Sequence, residues 1–232
     1  MIVTAQGVSK DFIRQGRGTN RFTAVQPLDL RIEPGKFTLL MGRSGSGKST
    51  LLNILSGLLT PTSGKVLYDD RDIYAMDDEA LSRFRNGNIG VIPQGQTAIH
   101  GLSVLENVCL TYMIYGSEEE RLGARAAAIP LMERLGIAGL AEASPSELSG
   151  GELRRMVIAR ALLREPGVIF ADEPTCDLDD ENTELVLSVL REATGKGAAV
   201  FVVSHERDAI GYADVILGMN AGVVEGKEIS GT

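Results

Sequence analysis

The apolar residues of the chain fall into short continuous runs that alternate with segments of helical spacing. The continuous runs predict buried strands, and they cover residues 37–41, 89–92, 168–171 and 198–203. The segments of helical spacing predict helices, and they cover residues 51–59, 104–115, 153–162 and 185–190. Because strands and helices alternate, we expect a parallel α/β core with ligands at the carboxyl ends of its strands.

The N-terminal part of the chain departs from this alternation. Apolar and polar positions alternate within residues 28–32, which is the period of a half-buried antiparallel strand. We expect short strands in residues 1–35, with a polar turn at 15–20. Together with residues 60–80, these strands are expected to form an antiparallel β subdomain.

The middle of the chain is rich in helix-forming residues. Residues 95–155 therefore predict a helical subdomain. Within it, residues 118–135 are rich in Ala, Glu, Arg and Leu, but they include Pro130. Proline removes a backbone donor and clashes with the preceding turn, so we expect Pro130 to kink this segment or to start a new helix.

A glycine-rich stretch joins the predicted strand at 37–41 to the helix that follows it. Residues 42–49 read GRSGSGKS, which fits the pattern G-x-x-x-x-G-K-[ST] of a phosphate-binding loop. The glycines let the backbone turn its N–H groups towards a polyphosphate, and the helix adds its positive N-terminal end. Lys48 is expected to reach the β- and γ-phosphates, and Ser49 to bind Mg²⁺. The predicted ATP-binding residues of this stretch are Gly42, Arg43, Ser44, Gly45, Ser46, Gly47, Lys48, Ser49 and Thr50.

Two carboxylates, Asp172 and Glu173, follow directly on the predicted strand at 168–171. One carboxylate at a strand end can hold Mg²⁺, usually through a water, and the next can orient or deprotonate an attacking water. Pairs of acidic residues are common on protein surfaces. Their place directly after four apolar residues favours a functional site instead.

Composition and charge argue against several classes of function. The chain has 232 residues and a net charge of −8, which argues against direct binding of nucleic acid or anionic lipid. No apolar run approaches the roughly 20 residues needed to span a bilayer, and the N-terminus lacks the pattern of a secretory signal. The two cysteines have no metal-ligand spacing. We therefore expect a cytoplasmic protein with no membrane span of its own.

Further motifs occur once each and in a fixed order: Phe12, Gln94, LSGGE at 148–152, ADEPT at 171–175, Leu178-Asp179 and His205. In this combination the chain resembles the ATP-binding-cassette (ABC) ATPases over nearly its whole length. The motifs are similar to that family's adenine-stacking aromatic, Q-loop, signature loop, Walker B strand, D-loop and switch histidine. The resemblance implies an α/β P-loop NTPase fold with a mixed sheet core, an N-terminal antiparallel β subdomain and a helical insertion subdomain that carries the signature loop. All are expected in one domain over residues 1–232.

The resemblance also implies that two such domains meet head to tail and hold ATP between them. Phe12 would stack on the adenine. The phosphate-binding loop of one domain would face Ser149, Gly150 and Gly151 of the other, with Asp179 in the D-loop between them. A glycine pair ahead of a helix is physically suited to this, because its amides form a second anion site.

The catalytic residues implied by the resemblance are Glu173, His205 and Gln94. Glu173 would polarise the attacking water, His205 would contact the γ-phosphate, and Gln94 would sense both Mg²⁺ and that phosphate. Ser49, Gln94 and Asp172 would bind the Mg²⁺. The implied activity is ATP hydrolysis with ATP and Mg²⁺ as cofactors.

Within the family, residues 41–59, 105–108 and 171–175 look like the lipoprotein-releasing and macrolide-exporter branch. This implies an integral membrane permease as partner, a homodimer or a paired ABC subunit, and a place on the inner face of the cell membrane. The candidates for docking are apolar residues of the helical subdomain, namely Ile99, Leu102, Val104, Leu105, Val108 and Leu110. Alternatively, most of them are core of that subdomain, but some are expected to line an exposed surface. The chain departs from the branch at Cys176-Asp177 in the D-loop, at Pro93, and at Leu153-Arg154 after the signature loop.

Three other functions compete with a transporter ATPase. A soluble ABC machine acting on a cytosolic assembly or on nucleic acid is the main alternative, although most of that class needs a long insertion or two cassettes. A regulatory module without hydrolysis is disfavoured by Glu173 and His205. A kinase with the same phosphate-binding loop would leave residues 148–152 unexplained.

Overall fold

A computed structural model describes residues 1–14, 20–95 and 97–228. The strands are β1 (Val3–Arg14), β2 (Asn20–Ile32), β3 (Phe37–Met41), β4 (Ser63–Tyr68), β5 (Arg71–Asp72), β6 (Ile89–Ile92), β7 (Val168–Asp172), β8 (Ala199–Ser204), β9 (Val215–Asn220) and β10 (Val223–Glu228). The α-helices are α1 (Lys48–Leu55), α2 (Asp78–Asn88), α3 (Val104–Tyr115), α4 (Glu118–Arg134), α5 (Gly150–Leu162) and α6 (Asp180–Gly195). The polar turn predicted at 15–20 lies outside the described residues, except for Asn20.

The central sheet has six strands in the order β10-β9-β3-β8-β7-β6. Strands β9, β3, β8, β7 and β6 pair in parallel, and β10 adds an antiparallel edge. Every residue of β7 and β8 is buried, which explains why these strands read as continuous apolar runs. The mixed sheet core is therefore confirmed.

The carboxyl ends of the central strands bring distant parts of the chain together. Met41 at the end of β3 pairs with Ser204 at the end of β8, and Asp172 at the end of β7 pairs with Val203. Because the three strands run parallel, the loops that follow them start at the same edge of the sheet. This edge is where the phosphate-binding loop, Glu173 and His205 meet.

A second sheet of four strands has the order β2-β1-β4-β5 and is antiparallel. Short strands were expected here, and this expectation is wrong, because β1 has 12 residues and β2 has 13. The register of β1 with β2 shifts after Ala5 and again after Val8, and Gly7 has a φ of +58°. These bulges interrupt the apolar–polar alternation, so that one long strand looks like shorter pieces in sequence.

The antiparallel sheet packs against one face of the central sheet, and the helical segment packs against the other face. Apolar residues of α3, α4 and α5 share one buried cluster with β7 and β8. Of the two alternatives expected at Pro130, a kink or the start of a new helix, the second is wrong, because α4 continues through Pro130. Pro130 is exposed, as is Ala126, whose carbonyl loses its helical partner, so water can replace the missing N–H group.

Of the six apolar candidates for docking, three are core residues, whereas Ile99 is 43% exposed. Val104, Leu105 and Val108 are buried in the core and present no surface to a partner. Exposed apolar side chains in this region include Met113 at 53% and Ile114 at 55%. Among the described residues, no helix combines the length and the apolar character that crossing a membrane requires.

Candidate nucleotide-binding and hydrolytic site

The phosphate-binding loop is held so closely by neighbouring backbone that glycine is required at two positions. A Cβ atom at Gly42 would lie 2.3 Å from the Met219 carbonyl oxygen. A Cβ atom at Gly47 would lie 2.1 Å from the Ala24 carbonyl oxygen, and Gly47 has a φ of +105°. The motif glycines are therefore demanded by the packing of the loop as well as by its curvature.

Positive groups point into the curve of this loop. Lys48 is buried, and its Nζ donates hydrogen bonds to the carbonyl oxygens of Gly42 at 2.7 Å and Arg43 at 3.2 Å. Helix α1 begins at Lys48, and Gly47 at its N-cap offers no side-chain acceptor to the first turn. The backbone N–H groups of the first turn of α1 and the ammonium group of Lys48 share one concave loop. The loop is therefore suited to a polyphosphate.

A cleft of about 830 Å³ opens above the loop. It brings together many of the residues predicted from sequence: Phe12, Arg43, Ser44, Gly45, Gly47, Lys48, Ser49, Thr50, Gln94, Glu173 and His205. Gly42 lies behind the loop against Met219, and both Ser46 and Asp172 are buried. The predicted nucleotide-binding and catalytic residues thus come from β1, the phosphate-binding loop and the ends of β6, β7 and β8.

Asp172 is a buried carboxylate whose hydrogen bonding is incomplete. Its Oδ1 atom has no hydrogen-bond partner among the described residues. Burial raises the pKa of Asp172, while a hydrogen bond from the Ser49 hydroxyl and the charge of Lys48 act to lower it. A buried carboxylate oxygen without a partner, next to a serine hydroxyl, is a donor set that suits a hard divalent cation.

Glu173 is held next to His205. The Nδ1 atom of His205 lies 2.8 Å from Oε1 of Glu173, and the His205 backbone N–H donates to Oε2 at 3.4 Å. Glu173 is buried, whereas the His205 side chain is 56% exposed. The hydrogen bond to Glu173 raises the pKa of His205 above its ordinary value. The pair places an acceptor carboxylate inside the cleft and an imidazole at its mouth.

Besides Gly42, Ser46 and Asp172, four predicted site residues do not line this cleft: Ser149, Gly150, Gly151 and Asp179. Ser149 caps α5, where its hydroxyl accepts from Glu152 N at 3.3 Å and Glu152 in turn accepts from Ser149 N at 2.7 Å. Asp179 caps α6 by accepting from Asn182 N at 2.8 Å. Within one chain, these residues therefore serve as helix caps or stand at a helix N-terminus away from the cleft.

Sequence reasoning missed a second aromatic residue in the cleft. Phe22 on β2 pairs directly with Phe12 on β1, and both side chains line the cleft. Directly paired residues of antiparallel strands point to the same face of the sheet, so the two rings lie side by side. The signal available in the sequence was two phenylalanines flanking one predicted turn.

Sequence reasoning also missed the role of Arg154. Its side chain is buried, and its guanidinium donates to backbone carbonyls at the ends of both β6 and β7. Helical spacing offered a signal, because Arg154 shares a face of α5 with the buried residues Val157 and Ile158. A charged residue on the apolar face of a helix indicates a buried group whose donors have hydrogen-bond partners.

The structure explains one departure from the expected D-loop pattern. Asp177 is exposed and has a φ of +62°, in the left-handed region. Asp tolerates this region better than most residues other than glycine. The backbone of the loop therefore provides a conformational reason for an aspartate at this position.

Comparison with known proteins assigns the chain to a family. Residues 25–176 match the protein family described as ABC transporter. The chain belongs to the ABC transporter family. Over 90% of its length, this ABC protein is 39% identical to an uncharacterized ABC transporter ATP-binding protein of Methanocaldococcus jannaschii, and it covers 92% of that protein.

Two further relatives carry names that describe a transport process. A lipoprotein-releasing system ATP-binding protein, LolD, of Syntrophotalea carbinolica is 35% identical, over 97% of each chain. A macrolide export ATP-binding/permease protein, MacB, of Chlorobaculum tepidum is 36% identical over 89% of this chain, which spans only 31% of that longer protein. The resemblance found in the sequence is confirmed.

The fold of this ABC protein is also that of solved cassettes. A dimeric ATP-binding cassette in a post-hydrolysis state, bound to ADP and Pi, superimposes with a TM-score of 0.90. That cassette is 33% identical, and the match covers 99% of this chain and 100% of the other. The protein is therefore an ATP-binding ABC ATPase with the P-loop NTPase fold.

We expect His205 to titrate above its ordinary pKa of 6.5, because the Glu173 carboxylate stabilises the protonated ring. The charged pair is then complete below the ordinary value and is lost as the pH rises through the raised pKa. NMR titration of the histidine ring protons measures this. In Glu173→Gln the pKa of His205 should fall, while the His100 signal in the same spectra reports any general change. An unchanged His205 pKa in Glu173→Gln would contradict the pairing.

We expect Phe22→Ala to weaken ATP binding about tenfold, because the variant loses an aromatic side chain of the cleft on which a base can stack. Binding of inorganic triphosphate should stay unchanged, since the phosphate-binding loop is intact. Calorimetric titration with both ligands measures the difference. Ile13→Ala is the matched control, because Ile13 is 71% exposed and does not line the cleft. Equal losses for ATP and triphosphate would mean that Phe22 supports the loop rather than the base.

Proposed function

We propose that this chain is the ATPase subunit of a membrane transporter, and that two chains enclose Mg-ATP at two composite sites. The observation that carries the proposal is the buried Glu173 carboxylate, held 2.8 Å from His205 beside the phosphate-binding loop. A carboxylate held in this way can accept a proton from a water that attacks a phosphate in the loop. His205, at the mouth of the cleft, would contact the γ-phosphate.

The remaining residues of the cleft would position the nucleotide. Phe12 and Phe22 would contact the adenine, while Lys48 and the amides of the loop would bind the β- and γ-phosphates. Lys48 now donates to loop carbonyls at 2.7 and 3.2 Å, so it would exchange these bonds for phosphate oxygens. Gln94, which lines the same cleft, would orient the attacking water and the metal.

The residues around Asp172 fit Mg²⁺. Ser49, Gln94 and Asp172 would hold the ion, and the unpartnered Oδ1 of Asp172 is the observation that supports this. When bound, Mg²⁺ neutralises charge on the phosphate oxygens. The protein's own contribution is to keep this oxygen donor set at the edge of the sheet.

The second half of each site would come from another ABC subunit, either a second copy or a paired chain. Ser149, Gly150 and Gly151 stand at the start of α5 and do not line the cleft of their own chain. Glycine amides at a helix N-terminus can donate hydrogen bonds to the γ-phosphate of a nucleotide held by a partner. Asp179 would then lie in the dimer interface, near the nucleotide. The dimeric form of the related cassette supports this arrangement.

The partner outside the dimer would be an integral membrane permease. The names of the lipoprotein-releasing and macrolide-export relatives support this assignment, and one of those relatives is named as a permease as well. We place the docking surface on the exposed apolar residues Ile99, Met113 and Ile114. The chain would thus work in the cytoplasm, on the inner face of the cell membrane. As a single domain over 1–232, it would have a β subdomain (1–35 and 60–80) that contacts the base and a helical subdomain (about 95–155) that contacts the permease.

We expect Glu173→Gln to lower Mg²⁺-dependent ATP turnover by about 10²- to 10⁴-fold, because it removes the proton acceptor but keeps the shape of the side chain. ATP binding should survive, so a dimer should accumulate with Mg-ATP. Phosphate release and light scattering measure the two effects. Ser149→Arg, placed in Glu173→Gln, should abolish the dimer and leave nucleotide binding by each chain intact. A monomer of Glu173→Gln saturated with Mg-ATP at high micromolar concentration would contradict the composite site.

We expect Ile114→Glu to release the chain from its membrane partner, because a carboxylate cannot be buried without cost in an apolar docking surface. The measurement is co-purification of integral membrane proteins with the chain from its native membranes. Val223→Glu is the matched control, since Val223 is 45% exposed on β10. Both variants should keep the ATP binding of the parent. If the parent itself retains no membrane protein, the soluble ABC machine replaces the transporter subunit.

A further inference from the structure

Arg154 uses its whole guanidinium group on backbone carbonyls. Its Nε donates to Pro174 O at 3.1 Å, and its Nη2 donates to Asp172 O at 2.9 Å and to Glu173 O. Its Nη1 donates to Pro93 O and to Gln94 O at 3.2 Å. A guanidinium has five N–H donors. Each of the five therefore has a carbonyl partner, and none of these partners is a side chain.

Three of these carbonyls belong to consecutive residues, which constrains the backbone. In an extended strand, neighbouring carbonyls point in opposite directions. For residues 172–174 to direct all three towards one guanidinium, the chain must leave the extended conformation directly after β7. It does so at Glu173, which has a φ of +48°. The convergence on Arg154 and the left-handed conformation of Glu173 are thus two aspects of one turn.

The conformation of Glu173 is opposed by ordinary backbone sterics. Non-glycine residues rarely adopt positive φ, and a residue that precedes proline, as Glu173 precedes Pro174, favours the extended region. Such a conformation persists only where surrounding contacts hold it. Two other backbone bonds contribute, from Glu173 N to Val203 O at 2.9 Å and from Cys176 N to Glu173 O at 3.2 Å. Arg154 is the side chain whose donors reach all three carbonyls of the turn.

The position of Arg154 in its helix links this turn to the signature loop. Helix α5 begins at Gly150, directly after the N-cap Ser149, so Arg154 lies little more than one turn into the helix. The same guanidinium reaches the carbonyl of Gln94, which follows β6 and lines the cleft. One buried side chain therefore connects the start of α5 to the backbone of both Gln94 and Glu173.

We propose that Arg154 is a positioning residue for ATP hydrolysis, which fixes the backbones of Glu173 and Gln94 relative to the start of α5. This inference rests on the proposed roles of Glu173 and Gln94. Arg154 itself touches no reacting atom, since its donors are all taken by carbonyls. Its removal should therefore act on turnover and leave the binding of ATP to the phosphate-binding loop unchanged.

The test compares two substitutions at Arg154 in the full chain. Arg154→Met keeps the length of the side chain but removes every donor, and we expect kcat to fall about 10²-fold through misplacement of Glu173. Arg154→Lys keeps the charge, but its ammonium donates from a single point and cannot reach both loops, so we expect a fall of about tenfold. The Kd for a fluorescent ATP analogue should stay within about threefold of the parent for both.

Arg164→Met is the matched control. The Arg164 side chain is only 17% exposed and donates to Glu120 at 2.9 Å, with its guanidinium 4.3 Å from the centre of the Tyr112 ring. It does not line the catalytic cleft. Thermal unfolding should report a loss of stability in both Arg→Met variants, but kcat should fall only in Arg154→Met. An equal fall of kcat in Arg164→Met would overturn the positioning role, because it would show a general effect of losing an arginine that is mostly shielded from solvent.

The remaining outcomes also decide the question. A kcat of Arg154→Met within about threefold of the parent overturns the proposal, as does a loss of ATP binding that matches the loss of kcat. If Arg154→Met does not fold, Arg154→Lys decides alone: parental kcat overturns the proposal, and a tenfold fall with parental Kd supports it. Absence of turnover in the parent would contradict the proposed function instead, which separates the two failures.

Discussion

The parallel pairing of β8 with both β3 and β7 is the constraint on which the whole cleft depends. It aligns Met41 with Ser204 and Asp172 with Val203, so that three loops leave the sheet at one edge. Buried clusters cover both faces of the sheet. Because both faces are close-packed, a slip of one residue would misfit side chains on each of them, which fixes the register. The precision of the site is therefore a consequence of a core that is apolar on both sides.

The cleft combines groups of opposite charge within a short distance, although the chain as a whole carries a net charge of −8. Lys48 and the first turn of α1 provide the positive side, and Asp172 and Glu173 the negative side. In the proposed mechanism, a polyphosphate would bind through the first set, and the second set would hold the metal and activate the water. The two sets remain separate because the positive groups follow β3, whereas the carboxylates stand at the end of β7. Backbone amides and carbonyls supply further fixed partial charges.

Part of the cleft has backbone conformations and close contacts that most residue types disfavour. The left-handed conformation of Glu173 and the tight approach of Gly42 and Gly47 to neighbouring carbonyls are unfavourable for most residues. They are held by contacts from elements far away in sequence, among them β9, β2 and α5. The antiparallel sheet and the helical segment therefore stabilise the loops that form the cleft.

The sequence by itself determined the features that depend on neighbouring residues. The strand at 89–92 and the helix at 104–115 have the predicted bounds, and the phosphate-binding loop lies between a strand and a helix as expected, because periodicity and loop motifs are local properties. The length of β1, the continuity of α4 through Pro130, and the places of Phe22 and Arg154 were decided by tertiary structure. Arg154 meets carbonyls 18 to 61 residues away, and Phe22 meets the cleft through its pairing with Phe12. No local pattern encodes such partners, since only the packed sheet brings them within reach.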